Sequence, residues 1–383
     1  MANAITLTAL TETLFRARDI VAKEPTGFIQ GVLVNSSRDG VSINGTVQSF
    51  TTPASTVNTS VTPAMTIPAG DDQTIAAKTM TIGQTANVKI PLKGEDWLKL
   101  NNTAGGQRVL DDMFAQAIRA IRNTVEAHVG SVIQLGASRA VGTAGTTPFA
   151  TTINNVFDVR QILVDNGAPA DGQRSLVLNT TAGTKLRQVP NLYKANEAGS
   201  DSLLRRGELM NLGDFSIRES AGVTSFTAGA MTGALFNGAG AVGDTTITFD
   251  TGTVNTTGIK AGDVITVSNY KYVVATGTTS TSGTFTIQEP GLREVVADNT
   301  AITVNSSYAA NAAFHRNAVE LIIRPPAIPN GGDAAVDRMT ISDDTGLVFE
   351  VAQYKGYLME LFDFTCYYQA KAWNPKYIAT LLG

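Results

Sequence analysis

Apolar side chains recur at helical spacing along residues 106–135, GQRVLDDMFAQAIRAIRNTVEAHVGSVIQL. The pattern predicts one long amphipathic helix, roughly 45 Å in length at about 1.5 Å per residue. Two aspartates in its first turns and two arginines further along suit the helix dipole. His128, beside the stripe, is expected to be packed or partly buried, since no second His or Cys stands one turn away to share a metal ion. The apolar stripe consists of Val109, Met113, Ala117, Ile118, Ile121, Val125, Val129 and Val132.

Two different patterns precede this helix. Apolar residues recur at near-helical spacing from Leu7 to Val21, which predicts an amphipathic helix over residues 6–23. Residues 35–92 are instead rich in Thr, Ser, Pro and Gly, with the alternating runs TVQSF and TANVKIPL at their two ends. So little apolar content means either disorder or a protruding hairpin that another chain supports. The alternating ends indicate paired strands and favour the hairpin.

Helical and strand patterns alternate over residues 154–220. NNVFDVRQILVDNG predicts a helix with a glycine cap, SLVLNT a strand, SDSLLRRGELMNLG a helix and DFSIRES a strand, which together indicate a mixed α/β unit. Residues 222–308 contain short alternating runs such as TTITF and GDVITVSNYKYVVA between Gly- and Thr-rich turns. This pattern of short strands and turns predicts a small all-β insertion, either a barrel or a sandwich, whose aromatic residues could form its own core.

Two further strands are predicted near the C-terminus. Residues 362–372 alternate apolar and polar side chains, which is typical of a long strand with one buried face. VELIIR forms the other strand, and Pro325 and Pro326 must end it because neither supplies an N–H for a ladder bond. His315 and Arg316 lie just before this strand. We assign them a structural role at a domain junction, where His bonds to backbone carbonyls and Arg pairs with a carboxylate of its own or a neighbouring subunit.

Composition narrows the function classes. Of 383 residues, 43% are hydrophobic and only 16% are charged, so polar uncharged residues or other subunits must cover much of the surface, and an oligomer is expected. With 29 basic against 33 acidic residues and no Lys/Arg run, the chain is not expected to bind nucleic acid tightly. Cys366 is the only cysteine, which excludes an intrachain disulfide. No signal peptide or membrane span is recognisable, so we expect folding in a reducing cytoplasm.

The candidate catalytic motifs are weak. Gly238, Gly240 and Gly243 form a literal GxGxxG with Asp263 beyond it, but a strand pattern follows where a dinucleotide site needs a helix, so we interpret the motif as a turn. Ser138 in GASRA lacks the second glycine of a nucleophile elbow, although a Ser/His/Asp triad stays open because its members need not be close in the chain. Two His and one Cys do not make a common zinc site. No cofactor is predicted, and the thiol is expected to be buried and inert.

The order of these elements, and the phrases SLVLNTTAGTKL, LLRRGELMNLGDFSIRES, AAFHRNAVELIIRPPAIP and TGIKAGDVITVSNYKYVV, resemble the podophage coat proteins that carry an insertion domain. These are major capsid proteins of tailed bacteriophages with the Hong Kong ninety-seven-type fold. The resemblance implies an α+β capsid fold with an inserted small all-β domain. The expected parts are an N-arm (1–34), an extended loop (35–92), a peripheral domain with the spine helix (93–150), an axial domain (151–221), the β insertion (222–308), an axial return (309–335) and C-terminal strands of both domains (336–383).

The same resemblance implies a structural protein, not an enzyme: a coat subunit of the icosahedral head shell that encloses double-stranded DNA. Its expected partners are itself in pentamers and hexamers, a portal protein at one vertex, packaged DNA without sequence-specific binding, and, as an open alternative, a decoration protein. A separate scaffolding protein is expected because the short N-arm leaves no room for a fused scaffold domain. Assembly is expected in the host bacterial cytoplasm, and no membrane partner is implied. The residues assigned to structure and assembly are His315, Arg316, Pro325, Pro326, Arg205 and Arg206.

Two other function classes remain open from the sequence. A tail, fibre or surface-layer subunit would also tolerate Thr- and Gly-rich β segments. An enzyme with a pocket in the α/β unit is the third alternative.

Overall fold

The computed structural model describes residues 17, 26–51, 57, 62–63, 65–67, 76–102, 106–150, 152–193, 211–343 and 345–383. Within these residues the helices are α1 (Gly94–Asn102), α2 (Gly106–Leu135), α3 (Asn154–Asp165), α4 (Thr180–Arg187) and α5 (Pro190–Tyr193). Short 3-10 turns lie at Ile29–Gly31, Arg316–Ala318 and Pro375–Tyr377. No helix of the described part of the chain combines the length and apolar content that crossing a membrane requires.

The strands form two large sheets and two strand pairs. In the first part of the chain they are β1 (Leu33–Ser36), β2 (Thr46–Thr51), β3 (Ala76–Thr81), β4 (Gln84–Lys93), β5 (Arg139–Gly142), β6 (Arg174–Leu178), β7 (Ser216–Glu219), β8 (Ser225–Phe226), β9 (Ala230–Thr232), β10 (Ala234–Phe236) and β11 (Thr246–Asp250). The later strands are β12 (Thr253–Gly258), β13 (Val264–Val267), β14 (Tyr270–Thr276), β15 (Gly283–Ile287), β16 (Ala301–Val304), β17 (Tyr308–His315), β18 (Val319–Arg324), β19 (Ala335–Ser342), β20 (Val348–Gly356), β21 (Met359–Ala372) and β22 (Ile378–Leu382).

The long helix predicted from apolar periodicity is confirmed as α2, with the predicted limits. Ile121, Val125 and Val129 are buried, because β4 and β21 supply the apolar surface that the stripe needs. His128 is half-buried beside them, as predicted. The stripe is not covered to its end, since Val109 in the first turn is 49% exposed.

Strand β21 is the centre of the first sheet, which has the order β1, β18, β21, β20, β19. Strands β18 and β20 share one edge of β21, and β4 pairs antiparallel along the other. The predicted buried face is confirmed by Phe362, Phe364, Cys366 and Tyr368, which are all buried. Burial raises the pKa of the Cys366 thiol to about 12, which keeps it protonated and unreactive.

The hairpin prediction for residues 35–92 is confirmed at one end and corrected at the other. TVQSF lies in β2, which pairs antiparallel with β3, starting at Thr46 opposite Thr81. TANVKIPL lies in β4, but its partner is β21, starting at Gln84 opposite Tyr368. Pairing with β21 places the apolar face of β4 against α2, which a hairpin partner could not cover. Tertiary packing therefore decides the partner of β4.

The second sheet contains the predicted α/β unit. Strands β5, β22, β17, β6 and β7 lie side by side, and α3 and α4 pack against them. Helix α3 is followed by Gly167 at a φ of 77°, which is the predicted glycine cap. SLVLNT and DFSIRES contribute β6 and β7, as predicted. The helix predicted in SDSLLRRGELMNLG lies mostly outside the described residues, and so does the helix predicted over residues 6–23, of which Ala17 is helical and fully buried.

Residues 234–304 close into an antiparallel barrel, one of the two all-β forms predicted for this part of the chain. Its strands follow the order β13, β16, β10, β11, β15, β14, and β13 pairs with β14 to complete the ring. Phe249, Tyr272 and Phe285 fill the barrel with a core of its own, and Tyr270 is only partly buried at its margin. Val264 and Val273 belong to the main core of the molecule, so one wall of the barrel packs against it.

Three side-chain contacts attach the barrel to the C-terminal end of α2. Tyr308 Oη donates to the carbonyl of Gly262 (2.8 Å) and accepts from Gln134 Nε2 (3.2 Å). Gln288 Nε2 donates to the carbonyl of Leu135 (2.7 Å). Together with the pairing of β14 to β5, these bonds make the barrel continuous with the second sheet.

The domain limits remain a proposal, and strand pairing bears on two of them. Strand β5, within the proposed peripheral domain (93–150), pairs with β14 and β22 of the second sheet. Strand β18, within the proposed axial return (309–335), pairs with β1 and β21 of the first sheet. The chain passes from one sheet to the other at Arg316–Ala318. We therefore propose that β5 belongs to the domain that contains the second sheet, and that β18 belongs to the domain that contains the first sheet.

A fragment of residues 222–308 is expected to fold by itself as a β domain. Its core residues all lie within the fragment, and the ring of strands needs no partner from outside. Circular dichroism should show a β spectrum and a cooperative thermal transition. Phe249→Ala removes a buried aromatic ring and serves as the destabilised control, at a cost of about 3–5 kcal/mol. A disordered spectrum for the unsubstituted fragment would show that the barrel depends on β5 and α2.

Candidate functional site

His315 lies at the end of β17, where the chain turns through Arg316–Ala318 into β18. The side chain is fully buried. Its Nδ1 accepts a bond from the Asn317 N–H (3.2 Å), and its Nε2 lies 3.0 Å from Asp171 Oδ1. These two contacts assign the ring proton to Nε2, which donates to the carboxylate. The predicted bonds from His315 to backbone carbonyls are therefore wrong, because a backbone N–H and a carboxylate occupy both ring nitrogens. The ring joins the turn between the two sheets to the loop before β6.

The surroundings of His315 are those of a structural histidine. Asp171 is an exposed carboxylate whose pKa is lowered by the N–H of Gln173 and by the bond to His315. The Tyr377 ring packs edge-on against the imidazole at 6.2 Å. Ser138, the serine considered as a nucleophile, donates to the carbonyl of Ile378 (2.8 Å) and is buried. Its hydroxyl is therefore committed to a structural bond.

The other residues assigned to this junction behave differently from one another. Arg316 is exposed, and its backbone N–H donates to the carbonyl of Gln173. In the described part of the chain, no carboxylate forms an ion pair with its side chain.

Strand β18 ends just before Pro325, as predicted. The carbonyl of Pro325 accepts from the Val41 N–H (3.1 Å), and Pro326 bridges to the same residue. The prolines thus hold the base of the hairpin. Arg205 and Arg206 lie outside the described residues.

We expect His315→Ala and Arg316→Ala to differ. The histidine variant should lower the free energy of unfolding of the subunit by about 1–3 kcal/mol, because it removes a buried partner of Asn317 and Asp171. The arginine variant should leave the isolated subunit unchanged, because its side chain is solvated. Urea unfolding of both variants measures this difference. Equal stability of the histidine variant and the wild-type chain would contradict the junction role.

Sequence reasoning missed Glu126 on α2, whose carboxylate accepts hydrogen bonds from four donors. Its Oε1 accepts from the N–H groups of Gly27 (2.8 Å) and Phe28 (2.7 Å), and its Oε2 accepts from that of Ile29 (2.9 Å). The hydroxyl of Ser220 donates to Oε1 as well (2.7 Å). The carboxylate is 4% exposed, so this clasp of four donors compensates a buried charge.

A second charged residue lies one turn earlier on the same face of α2. Arg122 is 1% exposed, donates to the hydroxyl of Thr26 (3.0 Å) and lies 3.5 Å from a carboxylate oxygen of Asp343. Gly27, between these two anchors, has no room for a side chain, because a Cβ there would lie 2.6 Å from Val177. The sequence signal for these two buried residues was their spacing, because Arg122 and Glu126 form a charged pair at i and i+4 beside the apolar stripe. This signal does not distinguish a buried pair from an exposed one, since most such pairs are exposed.

A further buried carboxylate holds the first sheet to the N-terminal segment. Glu320 in β18 accepts from Asn35 Nδ2 (2.8 Å) and from the indole N–H of Trp373 (2.8 Å). Arg324 in the same strand donates to the carbonyl and side-chain oxygens of Asn35 (2.6 and 2.8 Å). This network fixes β1, β18 and the end of β21 in one register.

Acidification is expected to destabilise the chain through His128. Its Nε2 accepts a long bond from the Ala370 N–H (3.4 Å), its ring meets Tyr368 edge-on, and burial lowers its pKa from the ordinary value of 6.5. The folded state therefore binds a proton less readily than the unfolded state. The stability that depends on the neutral ring is fully present above pH 6.5 and is lost as the pH falls below it.

Thermal unfolding at pH 7.5 and 5.5 measures this effect. His128→Gln keeps a polar side chain that does not titrate, so its melting temperature should fall less between the two pH values than that of the wild-type chain. An identical fall in both chains would assign the acid sensitivity to other groups.

The glycine motif forms a turn, as predicted. Gly238 and Gly243 have φ values of 89° and 94°, and strand β11 follows. Asp263 is fully buried and accepts from the N–H groups of Gly229 (2.8 Å) and Lys260 (2.6 Å), so it is bound within the barrel. Among the described residues, no group of His, Cys, Asp and Glu side chains is arranged to hold a metal ion.

No protein-family model and no curated protein sequence matches this chain. Among solved structures, the capsid of the cyanophage P-SCSP1u is 13% identical, with 93% of this chain and 88% of that chain covered at a TM-score of 0.50. The mature capsid of bacteriophage PhiM1 is 12% identical, with 94% and 87% covered at 0.47. A structure from Mycobacterium phage Che8 is 12% identical, with 93% and 90% covered at 0.46. The cyanophage likeness confirms the predicted α+β capsid fold.

Proposed function

We propose that this chain is the major capsid protein of a tailed phage, a coat subunit whose copies form the icosahedral head shell around double-stranded DNA. The observation that carries the proposal is the capsid fold itself, which extends over nearly the whole chain in the likeness to the cyanophage capsid. The phrases that resemble podophage coat proteins support it independently. The proposed role is structural, and the geometry of His315 and Ser138 agrees with it.

Exposed apolar side chains support self-assembly. In the loop between β2 and β3, Met65 and Ile67 are essentially fully exposed (106% and 97%), and Val57 is 83% exposed. Tyr357 and Leu358 are exposed at the turn between β20 and β21. Such residues favour burial against another chain, at about 25 cal/mol per Å² of apolar area. Copies of the same subunit in pentamers and hexamers would supply that cover.

The charges of the chain favour a subunit that surrounds DNA without binding it over a subunit that binds DNA directly. Arg122, Arg174 and Arg187 each form an ion pair with a carboxylate of the same chain, so their charges are not available to phosphates. The chain as a whole has a net charge of -4. We propose that packaged DNA is held by confinement, without specific binding to the subunit.

Further partners and the place of assembly belong to the same proposal. A separate scaffolding protein would guide closure of the shell, a portal protein would occupy one vertex, and a decoration protein is an open addition. Assembly would take place in the host bacterial cytoplasm, and the product would be the virion shell.

Electron microscopy of the full chain, expressed with and without its scaffolding protein and sized by chromatography, tests the function. Closed shells of uniform size are expected with the scaffold. Tubes or flat sheets would favour a tail or surface-layer subunit, and a small soluble oligomer that binds a metabolite would favour an enzyme. Either of these results would overturn the proposal.

A further inference from the structure

Four asparagines of this chain directly precede a glycine, which is the dipeptide in which asparagine is most readily lost by deamidation. In that reaction the backbone nitrogen of the glycine attacks the side-chain amide carbon of the asparagine, and glycine hinders the attack least because it has no side chain. The attack is slowed when the glycine N–H is held in a hydrogen bond, so the fold decides which of the four can react. The four are Asn44, Asn166, Asn237 and Asn330.

Three of the glycine nitrogens are held by the fold. Each N–H donates to an oxygen of the same chain: Gly45 to the Ser42 carbonyl (2.9 Å), Gly167 to the Val164 carbonyl (2.9 Å) and Gly238 to Asp298 Oδ1 (2.8 Å). The side chain of Asn166 is held as well, since its Nδ2 donates to Ser138 Oγ (3.2 Å) and to the carbonyl of Lys376 (2.8 Å). Attack at these three positions therefore requires that a native hydrogen bond first be broken.

The fourth nitrogen, that of Gly331, lies in the loop between β18 and β19, where residues 327–334 are all exposed. Within the described part of the chain, neither the Gly331 N–H nor the side chain of Asn330 makes a hydrogen bond. The hydrogen bond that closes this turn runs from the Gly332 N–H to the Pro329 carbonyl (2.9 Å) and leaves both reacting groups free. A Cβ added at Gly331 would meet no atom within 4 Å, so open space surrounds the attacking nitrogen.

We propose that Asn330 is a site of spontaneous deamidation in the folded chain. The Gly331 nitrogen bonds to Asn330 Cγ and closes a succinimide ring, its proton passes to water, and the side-chain nitrogen leaves as ammonia. A water molecule then opens the ring at either carbonyl, which leaves aspartate or isoaspartate at position 330. Each reacted copy gains one negative charge in the loop between β18 and β19, because a carboxyl group is ionised at neutral pH. The reaction needs this turn and water, so it is independent of the proposed coat function.

Peptide mapping by mass spectrometry tests this site in the purified full-length chain, sampled during incubation at mildly alkaline pH. Asn330 should deamidate on the order of tenfold faster than each of the other three asparagines, because their glycine nitrogens must first leave a hydrogen bond. The products at position 330 should include isoaspartate, which opening of the ring forms and direct hydrolysis of the amide does not. In the matched variant Asn330→Gln, the side chain should keep its amide over the same period, because a glutamine would have to close a larger and less favourable ring.

Incubation in guanidinium chloride separates the effect of the fold from that of the local sequence. In the unfolded chain the native hydrogen bonds of all four glycine nitrogens are absent, so the four rates should converge. The proposal is overturned if Asn330 reacts no faster than the other three in the folded chain, or if its lead persists undiminished in the denaturant. It is also overturned if aspartate forms without isoaspartate, or if Asn330→Gln loses its amide as fast as the wild-type chain does.

Discussion

Replacing Glu126 by alanine is expected to lower the free energy of unfolding of the subunit by at least about 4 kcal/mol, because four donors lose a charged partner and each unpaired buried donor costs about 1–3 kcal/mol. The affected donors are three successive backbone N–H groups and one hydroxyl. The segment that leads into β1 should detach from α2 before the rest of the chain unfolds. Urea unfolding gives the total loss, and hydrogen exchange at Gly27, Phe28 and Ile29 locates it.

Two variants control for this result. Glu126→Gln keeps the shape and one accepting oxygen, so its loss should be intermediate. Asn123→Ala removes an exposed polar side chain from the same helix and should change the stability by less than about 0.5 kcal/mol. A Glu126→Ala chain as stable as the Asn123→Ala chain would show that water replaces the carboxylate without loss, and that the clasp does not hold the N-terminal segment.

Replacing Met65 and Ile67 together by serine is expected to reduce shell yield on the order of tenfold or more while the isolated subunit keeps its stability. Both side chains are solvated in the single chain, so their loss removes nothing from its own core. In a shell, each would be buried against a neighbouring copy, and burial of one large apolar side chain contributes about 1.5–3 kcal/mol. Thermal unfolding of the subunit and electron microscopy of the assembly reaction measure the two effects separately.

A matched control comes from the barrel. Val242 and Val295 are also exposed apolar residues, at 61% and 71%, and their double serine variant should assemble normally if the loop between β2 and β3 makes the contact. Shells at wild-type yield from the Met65/Ile67 variant would remove this loop from the proposed interface. A loss of subunit stability in that variant would mean that the loop packs within its own chain.

The spacing of apolar residues was enough to predict the helices and strands that bury a single face. The thirty residues of α2 show one apolar stripe, and the alternation of Phe362, Phe364, Cys366 and Tyr368 marks the buried face of β21. Glycine and proline likewise mark ends, as at Gly167 after α3 and Pro325 after β18, because their backbone restrictions act locally. The resemblance in short phrases then supplied the capsid fold.

What only the tertiary structure decided are the contacts between positions far apart in the chain. The alternating pattern of β4 shows a strand but not its partner, and packing on α2 selects β21. Glu126 looks like any charge on a helix until the chain folds back and places three backbone N–H groups around it. His315, which the sequence already assigned to a structural role, likewise gains Asp171 from a distant loop, a partner that the sequence did not identify. Sequence patterns report which face of an element is apolar, whereas hydrogen-bond partners depend on the distances that folding creates.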